Sequence, residues 1–315
     1  MQLQQLRYFA AVADTRHFTR AAERLRVAQP SLSQQIRSLE RELGAELFHR
    51  GRGDTALTDA GQALLPLARR ILADAESARS AVQEVVQLRR GRVRLGAPPS
   101  LCSSLVPDVL RAYRARHPGV ELLVDEGGSR DLASTLAAGE LDLALVITRP
   151  SGERPPGMAL TELLHEDLVL VSDRPLRRRR IRIEDLRGRP LVMFREGYDL
   201  REATLAACRA AGFDPEFAVE GGEMDAVLGF VRAGLGPAVV PGMVAARSGL
   251  AVTPFADPAM GRTIALAHGA ELPLTRAAAA LREALLGYLR DAGEAGALPP
   301  GTRLLPLDTA PASSS

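Results

Sequence analysis

One amphipathic segment, AQPSLSQQIRSLEREL, has side chains of the types and spacing that can hydrogen-bond to another macromolecule. Its apolar residues recur at steps of four, three and four, which predicts a helix with one buried face: Leu32, Ile36, Leu39 and Leu43. Hydrogen-bonding groups lie on another face: Gln29, Ser31, Ser33, Gln34 and Arg37. Such groups can read base edges in the major groove of DNA, and Pro30 marks a helix N-terminus where free amides can hold a phosphate. Exposed Gln, Ser and Arg are also typical of any solvated helix, so these residues decide nothing alone.

The segments around this helix predict a small domain over residues 1–58. Apolar residues at helical spacing predict a helix over 3–13, and Thr19 is predicted to cap a second helix, TRAAERL. Gly44 ends the third helix, and LFHRGRGDTALT is predicted to form a short hairpin. Arg50 and Arg52 of the hairpin suit a minor groove, where a narrow groove enhances the negative potential. Three short helices and a basic hairpin indicate a winged helix-turn-helix.

Residues 59–90 predict one long helix that pairs two chains. Its apolar residues alternate at steps of four and three, which is a heptad seam: Leu64, Ala68, Ile71, Ala75, Ala78, Val82 and Val85. Pro66 removes one backbone donor near the start of this helix and is expected to kink it. A homodimer has twofold symmetry, so the expected partner is double-stranded DNA with an inverted-repeat operator.

Residues 91–292 alternate between strand and helix patterns, which is typical of an α/β domain. Two such units follow one another and predict two lobes, lobe I over about 91–163 and 267–292 and lobe II over about 164–266. Residues 293–315 are rich in Ala, Pro and Ser and are predicted to be disordered. The predicted fold class is therefore α/β, preceded by an all-α winged helix-turn-helix.

In the order and spacing of its motifs, the sequence resembles the LysR-type transcriptional regulators over nearly its whole length. The specific matches are residues 18–25, AQPSLSQQIRSLEREL, GAELFHR and LTDAG at 57–61; weaker ones are Gly96, GELDLAL, FREGYDLR and AGLGPAVVP. Asp54 departs from the pattern and puts the phosphate contact of the hairpin in doubt. The resemblance implies a DNA-binding regulator, a sensing domain built like type 2 periplasmic binding proteins, and a homotetramer made of two dimers.

The same resemblance implies a ligand cleft between the two lobes. Ligands of α/β lobes bind beyond the carboxyl ends of strands, and the predicted strands end at Ser100, Ser129 and Thr148. Arg201 lies in the same loop region as Gly197 and could pair with an anion through two hydrogen bonds. The predicted effector-binding residues are Ser100, Cys102, Ser129, Ile147, Thr148, Gly197 and Arg201. By resemblance, Ser100 and Ser129 fall where relatives hold a carboxylate, although both could simply cap the helices that follow. The expected effector is a small, anionic metabolite.

The composition excludes several other classes of protein. The net charge of +2 and the pI of about 8.8 come from arginine alone, since the chain has no lysine; such a charge is compatible with nucleic-acid binding without requiring it. The N-terminus lacks a basic start followed by an apolar core, and no apolar run approaches the length of a membrane span. We therefore expect a cytoplasmic protein without a membrane partner. The five histidines lack metal-ligand spacing, so neither a metal nor a cofactor is predicted.

The sequence favours neither an exported binding protein, nor an enzyme, nor a peroxide sensor. The first 90 residues and the missing signal peptide exclude an exported solute-binding protein. An enzyme would need a catalytic constellation, and the acids at predicted strand ends are candidates only by residue type: Asp125, Glu126, Asp142 and Glu220. Peroxide sensors in the resembled family use a cysteine pair within the second lobe, whereas Cys102 and Cys208 fall in different lobes here. The arginine run 177–180 is interpreted as a solvated surface loop.

Overall fold

The chain divides into two compact units. The structure, a computed structural model, describes residues 1–49, 55–86, 91–148, 157–256, 260–270 and 273–306. The N-terminal unit comprises residues 1–88 together with 137–140, and the C-terminal unit comprises residues 89–136 and 141–315. Among the described helices, none is long and apolar enough to cross a membrane.

The N-terminal unit is a helical domain with a two-stranded hairpin. Its elements are α1 (Leu3–Thr15), α2 (Phe18–Leu25), α3 (Gln29–Leu43), β1 (Phe48–His49), β2 (Ala56–Leu57) and α4 (Asp59–Val86). Three apolar helix faces and the hairpin meet in one core, in which the ring of Phe48 packs 5.4 Å from Phe9 and 5.6 Å from Phe18. Thr19 does not cap α2 as predicted, because the His17 Nδ1 atom accepts the hydrogen bond from the Thr19 backbone amide.

The first turns of α4 belong to this core. Ala68 is fully buried there, with Leu64 and Ile71 packed beside it. Ala68 is thus buried by contacts within its own chain, whereas Leu64 and Ile71 stay partly exposed, so the pairing of two chains along this helix stays a prediction. Leu67, which is three residues after Leu64 and four before Ile71 and so adjoins the same face, is 57% accessible to solvent. Pro66 lies inside α4, which continues to Val86; the side chains of Val82 and Val85 are outside the described residues.

The C-terminal unit alternates strands and helices, as the sequence predicts. Its first part contains β3 (Arg92–Ala97), α5 (Pro99–Cys102), α6 (Val106–Arg116), β4 (Glu121–Glu126), α7 (Ser129–Ala137) and β5 (Leu143–Thr148). The middle part contains β6 (Met158–Ser172), a 3-10 turn (Ile183–Leu186), β7 (Leu191–Met193), α8 (Asp199–Ala210), β8 (Phe217–Glu220) and α9 (Met224–Arg232). The last part contains β9 (Ala238–Pro241), α10 (Gly242–Ser248), β10 (Ala251–Pro254), β11 (Gly261–Gly269), α11 (Arg276–Glu294) and β12 (Thr302–Leu304).

Two long strands, β6 and β11, join the two lobes of this unit. The strand order is β10-β6-β11-β5-β3-β4, with β3 parallel to both β4 and β5 and with β6 antiparallel to β11. One apolar core lies around β3, β5, α6 and α11 in lobe I, and a second lies around β7, β9, α8 and α9 in lobe II. Since β11 already pairs with β5 at Thr263, lobe I resumes before the predicted residue 267.

The chain stays ordered beyond the predicted start of the tail at residue 293. Helix α11 runs to Glu294, and Thr302–Leu304 pairs antiparallel with residues 164–166 of β6. Leu304 packs against the lobe I core, and this apolar contact explains why a segment rich in Ala and Pro is held in place. Residues 307–315 lie outside the described part of the chain.

Candidate nucleic-acid interface and ligand cleft

Helix α3 presents a polar face to an open groove on the N-terminal unit. The groove is lined by Gln29, Pro30, Ser33, Gln34, Arg37, Glu40, Arg41, Gly44, Ala45 and Glu46. Leu32, Ile36 and Leu39 are buried on the opposite face, so the core fixes the direction in which the polar face points. The structure thus brings together five of the predicted DNA-binding residues. Ser31 on α3 and Thr19 on α2 are exposed but do not line this groove.

The N-terminus of α3 is less open to a phosphate than the sequence suggests. The amides of Ser31 and Leu32 both donate to the Ala28 carbonyl oxygen, at 3.0 and 3.1 Å, and Pro30 has no amide hydrogen. The Gln29 Nε2 atom donates to the Ser33 Oγ atom at 2.9 Å, which pre-orders two of the predicted base-reading side chains. Arg50 and Arg52, predicted for the minor groove, lie outside the described residues.

The sequence LTDAG carries out a structural task at the start of α4. The Thr58 hydroxyl donates to the Glu46 carbonyl oxygen at 2.6 Å and accepts from the Gly61 amide at 3.1 Å, so it caps α4 and ties it to the segment before β1. A Cβ atom on Gly61 would collide with the Leu47 carbonyl oxygen. Only glycine therefore permits this close approach of helix and hairpin.

A cleft lies between the two lobes of the C-terminal unit. It is lined by Pro98, Pro99, Ser100, Gly127, Gly128, Arg195, Gly197, Tyr198, Asp199, Leu200 and Arg262. Its residues follow the ends of β3, β4 and β7, where the α/β topology predicts a ligand site. The volume open to a water-sized molecule is about 10 Å³, which is room for roughly one water. A metabolite therefore enters this cleft only when the lobes or their side chains move apart.

The floor of the cleft is a buried polar network. Ser100 is fully buried, and its Oγ atom accepts from Arg262 Nη1 at 2.9 Å. The guanidinium of Arg262 pairs with Glu166 on β6 at 2.8 Å, and the same carboxylate accepts from the Met243 amide at 2.7 Å. This network links the predicted residue Ser100 to the strands that join the lobes. Ser100 lies inside α5, not at the end of a strand as predicted, because β3 already ends at Ala97.

One hydrogen bond joins the lobes across the cleft. Ser129, the first residue of α7 in lobe I, donates its hydroxyl hydrogen to Asp199 Oδ2 in lobe II at 2.8 Å. The Ser129 Oγ atom also accepts from the Ile147 amide at 3.0 Å, so Ile147 acts through its backbone. The hydroxyl predicted to bind an effector is therefore occupied by a carboxylate of the chain itself.

Five of the seven predicted effector-binding residues do not line the cleft: Cys102, Ser129, Ile147, Thr148 and Arg201. Arg201 is buried, and its guanidinium donates to the Phe194 carbonyl oxygen at 2.9 Å and to Glu220 at 3.1 Å. The Sγ atom of Cys102 donates to the Ala97 carbonyl oxygen, and Thr148 ends β5 opposite Thr263. The prediction that Arg201 meets an anion is wrong for this conformation, because one turn of α8 directs it into lobe II.

Arg195 and Tyr198 line the cleft, although neither is among the predicted effector-binding residues. Arg195 Nε donates to Glu223 Oε1 at 2.5 Å, and the Tyr198 ring stacks on Phe194 with centroids 4.6 Å apart. Burial, together with the nearby Glu223 carboxylate, raises the pKa of Tyr198, so the phenol stays protonated. Both residues belong to the loop FREGYDLR, which is predicted to lie at the cleft. The sequence does not show that these two side chains of the loop line it. Arg262 carried no such local signal.

The titratable side chains of the described residues include neither a grouped set of metal ligands nor an activated cysteine. Within the described ranges, no three His, Cys, Asp or Glu side chains are grouped so as to hold a metal ion. Burial raises the pKa of the Cys102 thiol to about 11, with a further contribution from Glu126, and burial likewise raises that of Cys208 to about 11. Both thiols stay protonated at neutral pH.

A helical domain with an exposed reading helix, together with a two-lobed domain that encloses a cleft, defines the class of ligand-sensing DNA-binding proteins. Family comparisons agree. Residues 3–62 match the bacterial regulatory helix-turn-helix protein of the lysR family, and residues 87–290 match the LysR substrate binding domain. The chain belongs to the LysR family of transcriptional regulators.

Individual relatives support the same assignment over most of the chain. A probable hydrogen peroxide-inducible genes activator of Streptomyces viridosporus is 36% identical over 300 residues, which cover 90% of this chain and 94% of that protein. The transcriptional dual regulator GltC of Bacillus subtilis is 33% identical over 243 residues, covering 76% and 81%.

Solved structures of full-length regulators share the fold. A full-length OxyR variant from Pseudomonas aeruginosa has a TM-score of 0.68 at 28% identity, covering 90% of this chain and 94% of that one. CbnR, a LysR family transcriptional regulator, has a TM-score of 0.67 at 26% identity, covering 90% and 98%. These similarities confirm the predicted combination of a helix-turn-helix domain with an α/β sensing domain.

Proposed function

We propose that this chain is a cytoplasmic regulator whose promoter binding or activation is modulated by a small metabolite with an anionic group, bound between the lobes. The observation that carries the proposal is the Ser129–Asp199 hydrogen bond across a cleft too narrow for a metabolite. Because Asp199 lines the cleft, a ligand that enters it competes with Ser129 for this carboxylate, and binding then favours a different pose of the lobes. The chain senses the ligand and does not transform it.

The DNA partner is proposed to be an inverted-repeat operator bound by a homodimer or homotetramer. Support comes from the exposed polar face of α3 and from the structure of full-length CbnR in complex with its target DNA, which has 26% identity and a TM-score of 0.65 to this chain. Gln34 and Arg37 are proposed to contact base edges, while Thr19, Gln29, Pro30, Ser31 and Ser33 position the helix. Arg50 and Arg52 remain proposed contacts of the hairpin.

The DNA part of the proposal is tested on operator and random duplexes at one salt concentration. Gln34→Ala and Arg37→Ala are expected to weaken operator binding by ~1 to 3 kcal/mol each, with less effect on random DNA, because base contacts specify sequence. Arg114→Ala removes the same charge from an exposed position in lobe I and serves as the control. Equal losses on both duplexes would contradict the assignment of α3 as the reading helix. Mapping the protein on its own chromosome supplies the operator.

The ligand part is tested in cells with a reporter placed behind that operator. Tyr198→Phe removes only the hydroxyl that faces the cleft and is expected to abolish most of the metabolite-dependent change in reporter output. Tyr288→Phe, on α11, is the matched control. A full response in the Tyr198→Phe strain would place the effector elsewhere.

A further inference from the structure

The charged groups around the cleft are predominantly acidic. Both cleft arginines are paired with carboxylates: Arg262 with Glu166, and Arg195 with Glu223. Asp199 also lines the cleft, and three solvent-exposed carboxylates lie near it: Glu126 and Asp131 beside Gly127 and Gly128 in sequence, and Asp225 two residues after Glu223. Within the described residues, none of these four forms an ion pair with an arginine, and Asp199 only accepts a hydrogen bond from Ser129. The cleft therefore carries excess negative charge.

Carboxylates of the two lobes act on one another electrostatically. Glu126 ends β4 in lobe I, whereas Glu223 and Asp225 lie at the start of α9 in lobe II. Burial raises the pKa of Glu126, and the Glu223 and Asp225 carboxylates raise it further. A ligand with negative charge alone would add to this repulsion, while a positive group would relieve it.

Two buried polar atoms beside these acids lack partners. Tyr198 is only 6% exposed and lines the cleft, and its hydroxyl has no hydrogen-bond partner within the described residues. The Oε2 atom of Glu223 is also buried without a partner, although Oε1 of the same carboxylate accepts from Arg195. Buried polar groups are nearly always hydrogen-bonded, so this donor and this acceptor are groups that a ligand carrying both complements would satisfy.

We propose that the effector is amphoteric and carries an ammonium group close to a carboxylate, as α-amino acids do. The ammonium group binds Glu223 Oε2 and is stabilised by Glu126 from the facing lobe. The carboxylate accepts from the Tyr198 hydroxyl and lies beside the Arg195 guanidinium. Each charged group of the ligand then lies beside an opposite charge. The ammonium group is held by carboxylates of both lobes, and the carboxylate is held by lobe II. This inference rests on the proposed function, because it assumes that the effector occupies the cleft.

Matched pairs of compounds test the inference on the full-length protein by isothermal titration calorimetry. The pairs differ only in the amino group: L-alanine and propionate, L-leucine and 4-methylpentanoate, L-glutamate and glutarate. In at least one pair we expect the amino acid to bind at least tenfold more tightly than its partner. Glu126→Gln and Glu223→Gln are expected to reduce that preference several-fold, whereas Glu184→Gln, at an exposed acid of the 3-10 turn, leaves it unchanged.

The outcomes separate this inference from the proposed function. If the compounds without an amino group bind as tightly as the amino acids or more tightly, the effector is not amphoteric. If that binding is lost in Tyr198→Phe, the cleft is still the sensing site. A preference that survives in both Glu126→Gln and Glu223→Gln overturns the assigned ammonium site. Absence of binding for all six compounds also overturns the inference, and together with an unchanged reporter response of Tyr198→Phe it would contradict the proposed function as well.

Discussion

Arg262 and Arg201 show how the partners of a buried side chain decide its role. Arg262 is only 7% exposed and holds Ser100, a cleft residue, while its charge is balanced by the fully buried Glu166. Arg201 is buried to a similar degree, but its partners are the Phe194 carbonyl oxygen and the half-exposed Glu220. The first arginine supports the cleft, and the second fixes α8 within lobe II.

Removing Arg262 should therefore be far more damaging than removing Arg201. Arg262→Met leaves the Glu166 carboxylate buried without its cation, which is expected to cost ~3 to 5 kcal/mol of stability. Arg201→Met leaves Glu220 able to reach water, so the expected loss is only about 1 to 2 kcal/mol. Thermal and urea unfolding of the full chain measures both. A smaller effect for Arg262→Met than for Arg201→Met would contradict the buried pair.

The two cysteines are expected to be inert in the folded protein. Their thiol pKa values of about 11 mean that burial disfavours the charged thiolate, which becomes abundant only as the pH approaches 11. At pH 7, four pH units below that pKa, roughly one thiol in ten thousand is ionised. Iodoacetamide at pH 7.5 should therefore label neither residue until the protein is unfolded, as followed by mass spectrometry. Rapid labelling or peroxide-sensitive DNA binding would revive the redox-sensor alternative.

At the scale of the element, the junction of the hairpin and α4 depends on one missing side chain. Gly61→Ala would drive a methyl group into the Leu47 carbonyl oxygen, a backbone atom that cannot rotate away. The expected destabilisation is ~1 to 3 kcal/mol, as for an overpacked core. Gly287→Ala within α11 meets no atom within 4 Å and is the matched control, expected to stabilise by about 0.5 to 1 kcal/mol. Equal effects would mean that Gly61 has no packing role.

Helix α4 illustrates why a periodic pattern does not identify its partner. Ala68 of the heptad pattern is fully buried in the core of its own chain, and Leu64 and Ile71 pack against that core while staying partly exposed. Periodicity records which face of a helix is buried, and it carries no information on whether the burying surface belongs to the same chain or to another. Leu67 and Ala78 are two exposed apolar residues of α4 and candidates for contact between copies.

For the whole molecule, we expect self-association through this exposed side of α4. Leu67→Asp and Ala78→Asp place a charge in the proposed contact and should shift the protein towards the monomer at micromolar concentration, because an unpaired charge is costly to bury. Gln62→Asp adds the same charge on another face of α4 and should leave the assembly intact. Sedimentation velocity distinguishes these results. Wild-type sedimentation of all three variants would remove α4 from the interface between copies.

The helices of the N-terminal unit could be predicted from short segments of the sequence, although the cap of α2 could not. Its elements are consecutive, its core is formed by apolar residues at helical spacing, and its polar residues on α3 follow from that spacing alone. The alternation of strands and helices likewise determined the α/β sensing unit, because burial on a sheet or a helix imposes its period on the sequence. These patterns arise within short segments of the chain, so they can be recognised in the sequence.

Only the tertiary structure decided which side chains face the cleft. Ser129 meets Asp199 and Ser100 meets Arg262 across long stretches of chain, and neither pairing leaves a local pattern. Arg195 and Arg201 stand in one loop-helix segment, yet one lines the cleft and the other is directed into lobe II. The direction of a side chain depends on the packing of the element that carries it, and that packing exists only once distant segments have come together.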